Sequence, residues 1–437
     1  MISEVEGANP LLNAIIRFDP ELVRAEAVRV EALLASGAPA PLAGVPFTVK
    51  DNIWIGGQGA SQGSLLFETF VAPQDALCVQ RMRGAGAMVL GVTNASEFAC
   101  KGLTTNKLFG TTRNPWDLDR TPGGSSGGAA SAVSAGLGAI ALATDAGGSV
   151  RRPAAHVGVV GMKPTPGRIP HPVGFVEPVF AQSVIGIMGR SATDVALSFR
   201  SMTGHDLRDP MSVPLNAVEP PSPKGARIAY SPRLGLGFPV DADVQKSVAD
   251  AVRLFEQLGA HVEEADPAWP EGTDEAALMP LQLAGLAALY GDAWKENPDR
   301  FDPDIAAQIE RGLGLSGADI ANALFLREQL TRVLCDLQAR FDLLVTPTTP
   351  CVAWSLDRLG PAEIEGQKVS PRGHAVFTPI FNHAFVPACS VPCGLSADGL
   401  PIGLQIVGRR FEDDLVLSAA NAIEQALGGK FVKPRRV

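Results

Sequence analysis

The sequence predicts an α/β fold in which a β-sheet is covered by helices on both faces. Two observations carry this: short apolar runs of strand length alternate with stretches whose apolar residues recur at helical spacing. A third supports it, since 46% of the 437 residues are hydrophobic and only 19% charged, a balance that suits a large buried core. The 46 glycines and 35 prolines fit many loops of specific backbone shape.

Along the chain, residues 20–36 carry apolar positions at helical spacing, with Asp19 and Pro20 as a start signal. The residues Pro46–Val49 read as a short buried strand with Lys50 at its C-terminal end, and a helix over about 74–83 leads to a strand at Ala87–Val92. After a polar loop come the glycines and serines of 123–128. The run to Ala135 is all small residues, as in a helix packed very closely on a flat surface. A third strand, Ala139–Ala143, ends in Thr144-Asp-Ala-Gly-Gly-Ser149. Residues 210–224 are Pro-rich and read as a linker or surface loop. Beyond them lie a strand (Arg227–Tyr230), an amphipathic helix (Asp243–Leu258), a strand (His261–Glu264) and a helical stretch over 274–340. Strands return at Leu343–Thr346, Cys389–Cys393 and Ile402–Val407, and a helix over 413–427 follows.

Several function classes are excluded at this level. A net charge of −9, with no basic run before Lys433–Arg436, argues against a nucleic-acid surface. Six scattered cysteines form no CxxC, so a disulfide framework is not expected and a reducing compartment fits. Met1–Leu12 lacks a signal-peptide pattern, and no apolar run reaches the roughly 18 residues of a membrane span. The expected location is cytoplasmic. Six dispersed histidines without HExxH give no metal site. The residues 312–317 match GxGxxG but follow a helix-like segment where a dinucleotide site needs a strand. The residues 123–128 satisfy GxSxG, but loop rather than strand precedes them, against a nucleophile elbow.

What remains is a constellation: Lys50 ending a strand, the glycine-flanked Ser125, and Ser149 at the end of a second glycine loop. Singly, each has a bland reading, as a strand-mouth lysine, an anion-binding turn and a helix N-cap. Together they resemble the amidase signature family. The matching stretches are Gly44-Val-Pro-Phe-Thr-Val-Lys50-Asp-Asn-Ile, Gly123-Gly-Ser125-Ser-Gly-Gly, Thr144-Asp-Ala-Gly-Gly-Ser149-Val-Arg151 and Gly161-Met-Lys-Pro-Thr-Pro-Gly167. The residues Leu344-Val-Thr-Pro-Thr-Thr-Pro350 and Gly399-Leu-Pro-Ile-Gly-Leu-Gln405 extend the likeness over nearly the whole chain.

That resemblance implies an α/β/α sandwich with a central mixed β-sheet and a Ser–cisSer–Lys hydrolase; the chain reads as a single domain over 1–437, with the helical stretch 274–340 as an insertion or cap over the active site. Ser149 would be the nucleophile, Ser125, joined to Gly124 by a cis peptide, the proton carrier, and Lys50 the general base. The backbone N–H groups of Ala146, Gly147, Gly148 and Ser149 would form the oxyanion hole, and Arg151 would prop the loop. The chemistry is consistent. A serine is a weak nucleophile without a base, and lysine serves as one only if burial lowers its usual pKa of about 10.4. Relatives often have Thr or Ser where Ala146 stands, and commonly carry an extra helix before the one at 20–36, where this chain has only a short stretch. The substrate pocket is expected from the segments 171–220 and 274–340.

The function expected is hydrolysis of a small carboxamide, without cofactor, metal, nucleic-acid or membrane partner; a homodimer is allowed. The rival reading is the glutaminase (A-type) subunit of a tRNA-dependent amidotransferase. Against it, 274–340 carries no match to that subunit's glutamine-recognition segment. Arg152 adds a second arginine after Arg151. One turn from Ser149, it is expected either to lean into the acyl pocket and bind a substrate carboxylate, or to pair with a structural acid or face solvent.

Overall fold

The computed structural model describes residues 1–215, 221–429 and 431–434. Residues 216–220 of the expected linker and 435–436 of the basic run lie outside the described residues. The strands are β1 (Ile15–Arg17), β2 (Pro46–Lys50), β3 (Met88–Thr93), β4 (Thr105–Asn106), β5 (Gly110–Thr111), β6 (Ile140–Asp145), β7 (Val160–Lys163), β8 (Val184–Gly189), β9 (Arg227–Tyr230) and β10 (His261–Glu264). They continue with β11 (Leu343–Pro347), β12 (Glu363–Ile364), β13 (Gln367–Lys368), β14 (Ala388–Leu395) and β15 (Pro401–Gly408). Eleven form one sheet, ordered β1-β3-β2-β6-β8-β7-β14-β15-β11-β9-β10; β4–β5 and β12–β13 are separate small pairs.

The sheet is mixed. The pairs β2–β3, β2–β6, β9–β11 and β9–β10 are parallel, whereas β6, β8, β7, β14, β15 and β11 follow one another antiparallel. Its middle strands are buried on both faces, because helices cover each side. The early helices are α1 (Ile2–Leu12), α2 (Pro20–Ala35), α3 (Leu77–Gly84), α4 (Gly127–Ala135), α5 (Arg151–Val157), α6 (Ala192–Met202) and α7 (Ala242–Gln257). The later ones are α8 (Glu275–Leu278), α9 (Pro280–Glu296), α10 (Pro303–Leu313), α11 (Gly317–Arg340), α12 (Pro379–His383) and α13 (Asp413–Ala426).

Local chemistry explains these boundaries. The Asp19 side chain accepts the Glu21 N–H and Pro20 opens α2, the expected start. The small residues of α4 are a packing requirement, since a Cβ on Gly128 would stand 2.5 Å from the Asn94 backbone. The glycines of 312–317 serve helix packing: a Cβ on Gly312 would meet the Leu283 carbonyl at 2.0 Å, where α10 crosses α9.

The structure adds elements the sequence pattern did not mark. A helix, α1, occupies the stretch before α2 that read as bare, and β7 and β8 supply two central antiparallel strands. Both strands are broken by glycine, which masks their apolar run. The cause is close packing by α5, the residue before it and the neighbouring strand: a Cβ on Gly186 would lie 2.7 Å from Val150 and 2.8 Å from the Met162 carbonyl, and one on Gly161 would lie 2.6 Å from Ala154. Gly186→Ala is therefore expected to destabilise the protein by about 1–3 kcal/mol through overpacking. Gly317→Ala, whose Cβ meets open space at the start of α11, should stay within about 0.5 kcal/mol of wild type. Urea unfolding of the two variants checks the contrast.

Candidate active site

Three structural elements bring the expected triad positions together. Lys50 ends β2, Ser125 precedes α4, and Ser149 lies between β6 and α5. Parallel pairing of β2 with β6 sets Lys50 beside Thr144. Its Nζ donates to Ser125 Oγ at 2.8 Å and to Thr144 Oγ1 at 3.0 Å, and Asn52 Nδ2 donates to the same Thr144 oxygen at 2.9 Å. Lys50 and Ser125 are fully buried, and Ser149 is 5% exposed. The Gly124–Ser125 peptide is cis. A Cβ on Gly124 would lie 2.7 Å from the Gly102 carbonyl carbon, so the loop closes there only with glycine.

Burial lowers the Lys50 pKa to about 7, against the opposing pull of Asp145. Lys163 is also brought to about 7 by burial, helped by Arg151. Its Nζ, however, donates to the Pro164 carbonyl at 2.9 Å. Geometry separates the two lysines: only Lys50 bonds a serine hydroxyl at the cleft.

The turn carrying Ser149 is organised by the Asp145 carboxylate. It accepts the N–H of Gly148 (2.7 Å), Val150 (3.1 Å) and Arg151 (3.4 Å), and takes a two-pronged ion pair from Arg151 Nε (3.0 Å) and Nη2 (2.9 Å). Asn382 Nδ2 donates to it at 2.9 Å. Burial pushes the Asp145 carboxyl up, but Arg151 outweighs it and holds the group well below the usual carboxylate range. Arg151 also reaches the Thr378 carbonyl (3.0 Å), Gln405 Oε1 (2.8 Å) and Asn382 Oδ1 (2.5 Å).

This arrangement corrects the expected oxyanion donors. The Gly148 N–H is committed to Asp145, whereas the N–H groups of Ala146, Gly147 and Ser149 have no acceptor among the described residues. Gly148 matters for shape instead: its φ is +110°, and a Cβ there would clash with Thr378 Oγ1 at 2.1 Å. Arg152 is also placed differently from both expectations. It is buried behind the turn, pairs with no carboxylate among the described residues, and does not line the cleft of Ser125 and Ser149. The reason is the turn of α5, which aims its Nη2 at the Gly124 carbonyl, 3.4 Å away.

The cleft holds about 500 Å³ of space including its mouth. Residues from 171–183, together with Gln282 of α9, form much of its wall. Phe98, another wall residue, stacks on Tyr290 of α9 with ring centroids 3.9 Å apart, and the buried Lys101–Asp302 ion pair ties the same loop to α10. A second cleft, lined by Leu278, Arg372, Ile380 and His383 among others, meets the first at Ala146 and Gln282. Among the described residues no group of three His, Cys, Asp or Glu could hold a metal ion, and no helix is long and apolar enough to cross a membrane. Asn52, Thr144, Asp145, Thr378 and Asn382 were missed from sequence. Asn52, Thr144 and Asp145 stood inside the matching stretches, and the polar character of Thr144 and Asp145 at the end of an otherwise apolar strand was a usable signal; Asn382 gave none.

The family described as Amidase matches residues 1–417. The chain belongs to the amidase signature family. An acylamidase of Rhodococcus erythropolis is 37% identical over 432 residues, which cover 97% of this chain and 90% of the relative. The A-type subunit of the glutamyl-tRNA(Gln) amidotransferase of Symbiobacterium thermophilum is 36% identical over 457 residues, covering 97% and 91%. Among solved structures, a bacterial aryl acylamidase of the amidase signature enzymes superposes with a TM-score of 0.89 at 30% identity, covering 97% of this chain and 91% of its own. The 6-aminohexanoate cyclic dimer hydrolase bound to substrate gives 0.88 at 30%, covering 99% and 94%. As a member of this amidase family, the chain is an amide C–N hydrolase.

Removing Arg151 would leave Asp145 buried and unpaired. Arg151→Met is expected to destabilise the fold by about 3–5 kcal/mol, measured by chemical denaturation. The folded carboxyl value of Asp145 is depressed. Its contribution to stability is therefore complete above the unfolded value of about 3.9 and is lost as pH falls through the folded one.

Proposed function

We propose that this amidase cleaves a small carboxamide to a carboxylate plus ammonia or an amine through an acyl-enzyme on Ser149. The observation that carries the reading is the buried 2.8 Å hydrogen bond from Lys50 Nζ to Ser125 Oγ, at the wall of the cleft that Ser149 also lines. No hydrogen bond ties the Ser149 hydroxyl to another described side chain, which leaves it open to a bound carbonyl carbon. As Ser149 Oγ attacks, its proton passes to Ser125, and the Ser125 proton to neutral Lys50. The carbonyl oxygen becomes an oxyanion that the free N–H groups of Ala146, Gly147 and Ser149 can meet, each such donor being worth roughly 2.7–4 kcal/mol. Returned through Ser125, the proton leaves on the departing amine. Water then attacks the ester by the same relay, and Ser149 is restored. The helices of 274–340 act as the cap, since α9 supplies Gln282 to the wall and the Phe98–Tyr290 stack seats them on it.

The glutaminase reading stays alongside because A-type amidotransferase chains are relatives at up to 37% identity. Strict dependence on glutamine, or co-purification with partner proteins of such a complex, would favour it over a free-standing hydrolase.

Ser149→Ala is expected to abolish ammonia release from a panel of amides, while Ser125→Ala and Lys50→Ala retain traces at most, because the three act as one unit. More than a few per cent of wild-type kcat in Ser149→Ala would sink the assignment. A serine-directed phosphonyl fluoride should label Ser149, read by peptide mass. Since the base must be neutral, kcat/KM should rise with pH through about 7, where Lys50 loses its proton. A rate flat between pH 6 and 8 would contradict that.

A further inference from the structure

Glu177 is the only charged side chain among the described residues that line the cleft of Ser125 and Ser149. The same wall carries Phe98, Phe175, Val176 and Val179, along with the polar side chains of Asn52, Gln62 and Gln282. The Ser183 hydroxyl favours the charged form of Glu177, which among the described residues forms no ion pair. The other ionisable wall residues offer it no compensating charge. Burial lowers the His171 pKa, keeping that ring neutral, and raises the Cys100 thiol to about 12. Lys50 favours the charged form of Glu177 from a distance, but the Lys50 amine is committed to Ser125 and Thr144 and forms no ion pair with it. A buried carboxylate with no ion-pair partner is unfavourable until something brings the opposite charge. Desolvation raises its pKa to about 7, which expresses the same want of a partner.

We propose that Glu177 selects amide substrates bearing an ammonium group, held between its carboxylate and the faces of Phe98 and Phe175. The aromatic faces suit a cation as well as the alkyl chain that carries it. Phe175 is held in position by Trp54, Phe67 and Phe70, whose ring centroids lie 5.5, 5.1 and 5.2 Å away. The opposite substrate class, an amide with a carboxylate at that end, would meet Glu177 as a like charge. This replaces the carboxylate specificity expected from Arg152, whose guanidinium lies outside the wall. The inference rests on the proposed amide hydrolysis and names the substrate class for the same cleft.

The test uses ω-ammonium alkyl amides of two to six methylenes, each matched with a methyl-terminated isostere, on wild type and Glu177→Gln. Wild type should show at least a tenfold higher kcat/KM for the best ammonium amide than for its isostere. In Glu177→Gln that ratio should fall to within twofold of one, with an unchanged urea unfolding midpoint as the check that the variant is folded. Glu177→Asp should keep part of the preference. A wild-type ratio at or below one overturns the inference and leaves the proposed hydrolysis standing. So does an unchanged ratio in Glu177→Gln, or labelling of Ser149 by the phosphonyl fluoride with no ammonium amide hydrolysed. Failure of both labelling and hydrolysis overturns the proposed function itself.

Discussion

The buried ion pair between Asp145 and Arg151 is the interaction on which the rest of the site depends. Both side chains are fully buried, so neither charge is tolerable without the other. Their pairing fixes the end of β6 to the start of α5, and the short turn between them has little freedom left. The leftover capacity of each group is used as well. Asp145 takes three backbone N–H groups of the turn, and Arg151 gathers Thr378, Asn382 and Gln405 from the C-terminal part of the chain. A fully satisfied network in a low-dielectric interior holds one geometry. The orientation of the three unclaimed N–H groups is a by-product of that satisfaction.

The chemistry of Lys50 follows from the same logic of burial. An apolar strand end takes the lysine out of water and brings it near neutrality at physiological pH, while Asp145 pulls the other way. Lys163 shows that burial alone makes a weakly basic lysine without bringing it to a serine hydroxyl. Its amine is taken up by a backbone carbonyl. The difference lies in strand pairing: β2 beside β6 brings Lys50 to Thr144 and Ser125, whereas β7 ends facing the next residue of its own chain.

Much of this was legible in the sequence because the site is built from contiguous motifs with special backbone demands. The strand at 46–50, the glycine loops around Ser125 and Ser149 and the small-residue helix α4 all carry their reason in composition. The strands β7 and β8 did not, because glycines demanded by close packing around α5 interrupt the alternation that marks a strand. Local pattern also misled about direction. Arg152 sits one turn from Ser149 as expected, yet the helix aims it behind the turn at the Gly124 carbonyl. Gly148 was expected to offer its N–H to substrate, and a side chain three residues upstream claims it. Glu177 was invisible because nothing in the loop 171–183 shows which side chains face the cleft until α9 is packed against it.

The contacts of Arg151 have a consequence for the order in which the protein can be made. Its Gln405 partner lies 254 residues downstream, and Asn382 lies 231 downstream. A chain emerging from the ribosome presents Arg151 long before either partner exists. The Ser149 turn therefore belongs to the last stage of folding, and until then the nascent sheet keeps an edge at β7 awaiting β14. Contacts of such long range close slowly and expose apolar strands meanwhile. The interval between synthesis of the first glycine loop and synthesis of β15 is thus when the apolar strands of this chain stay longest uncovered.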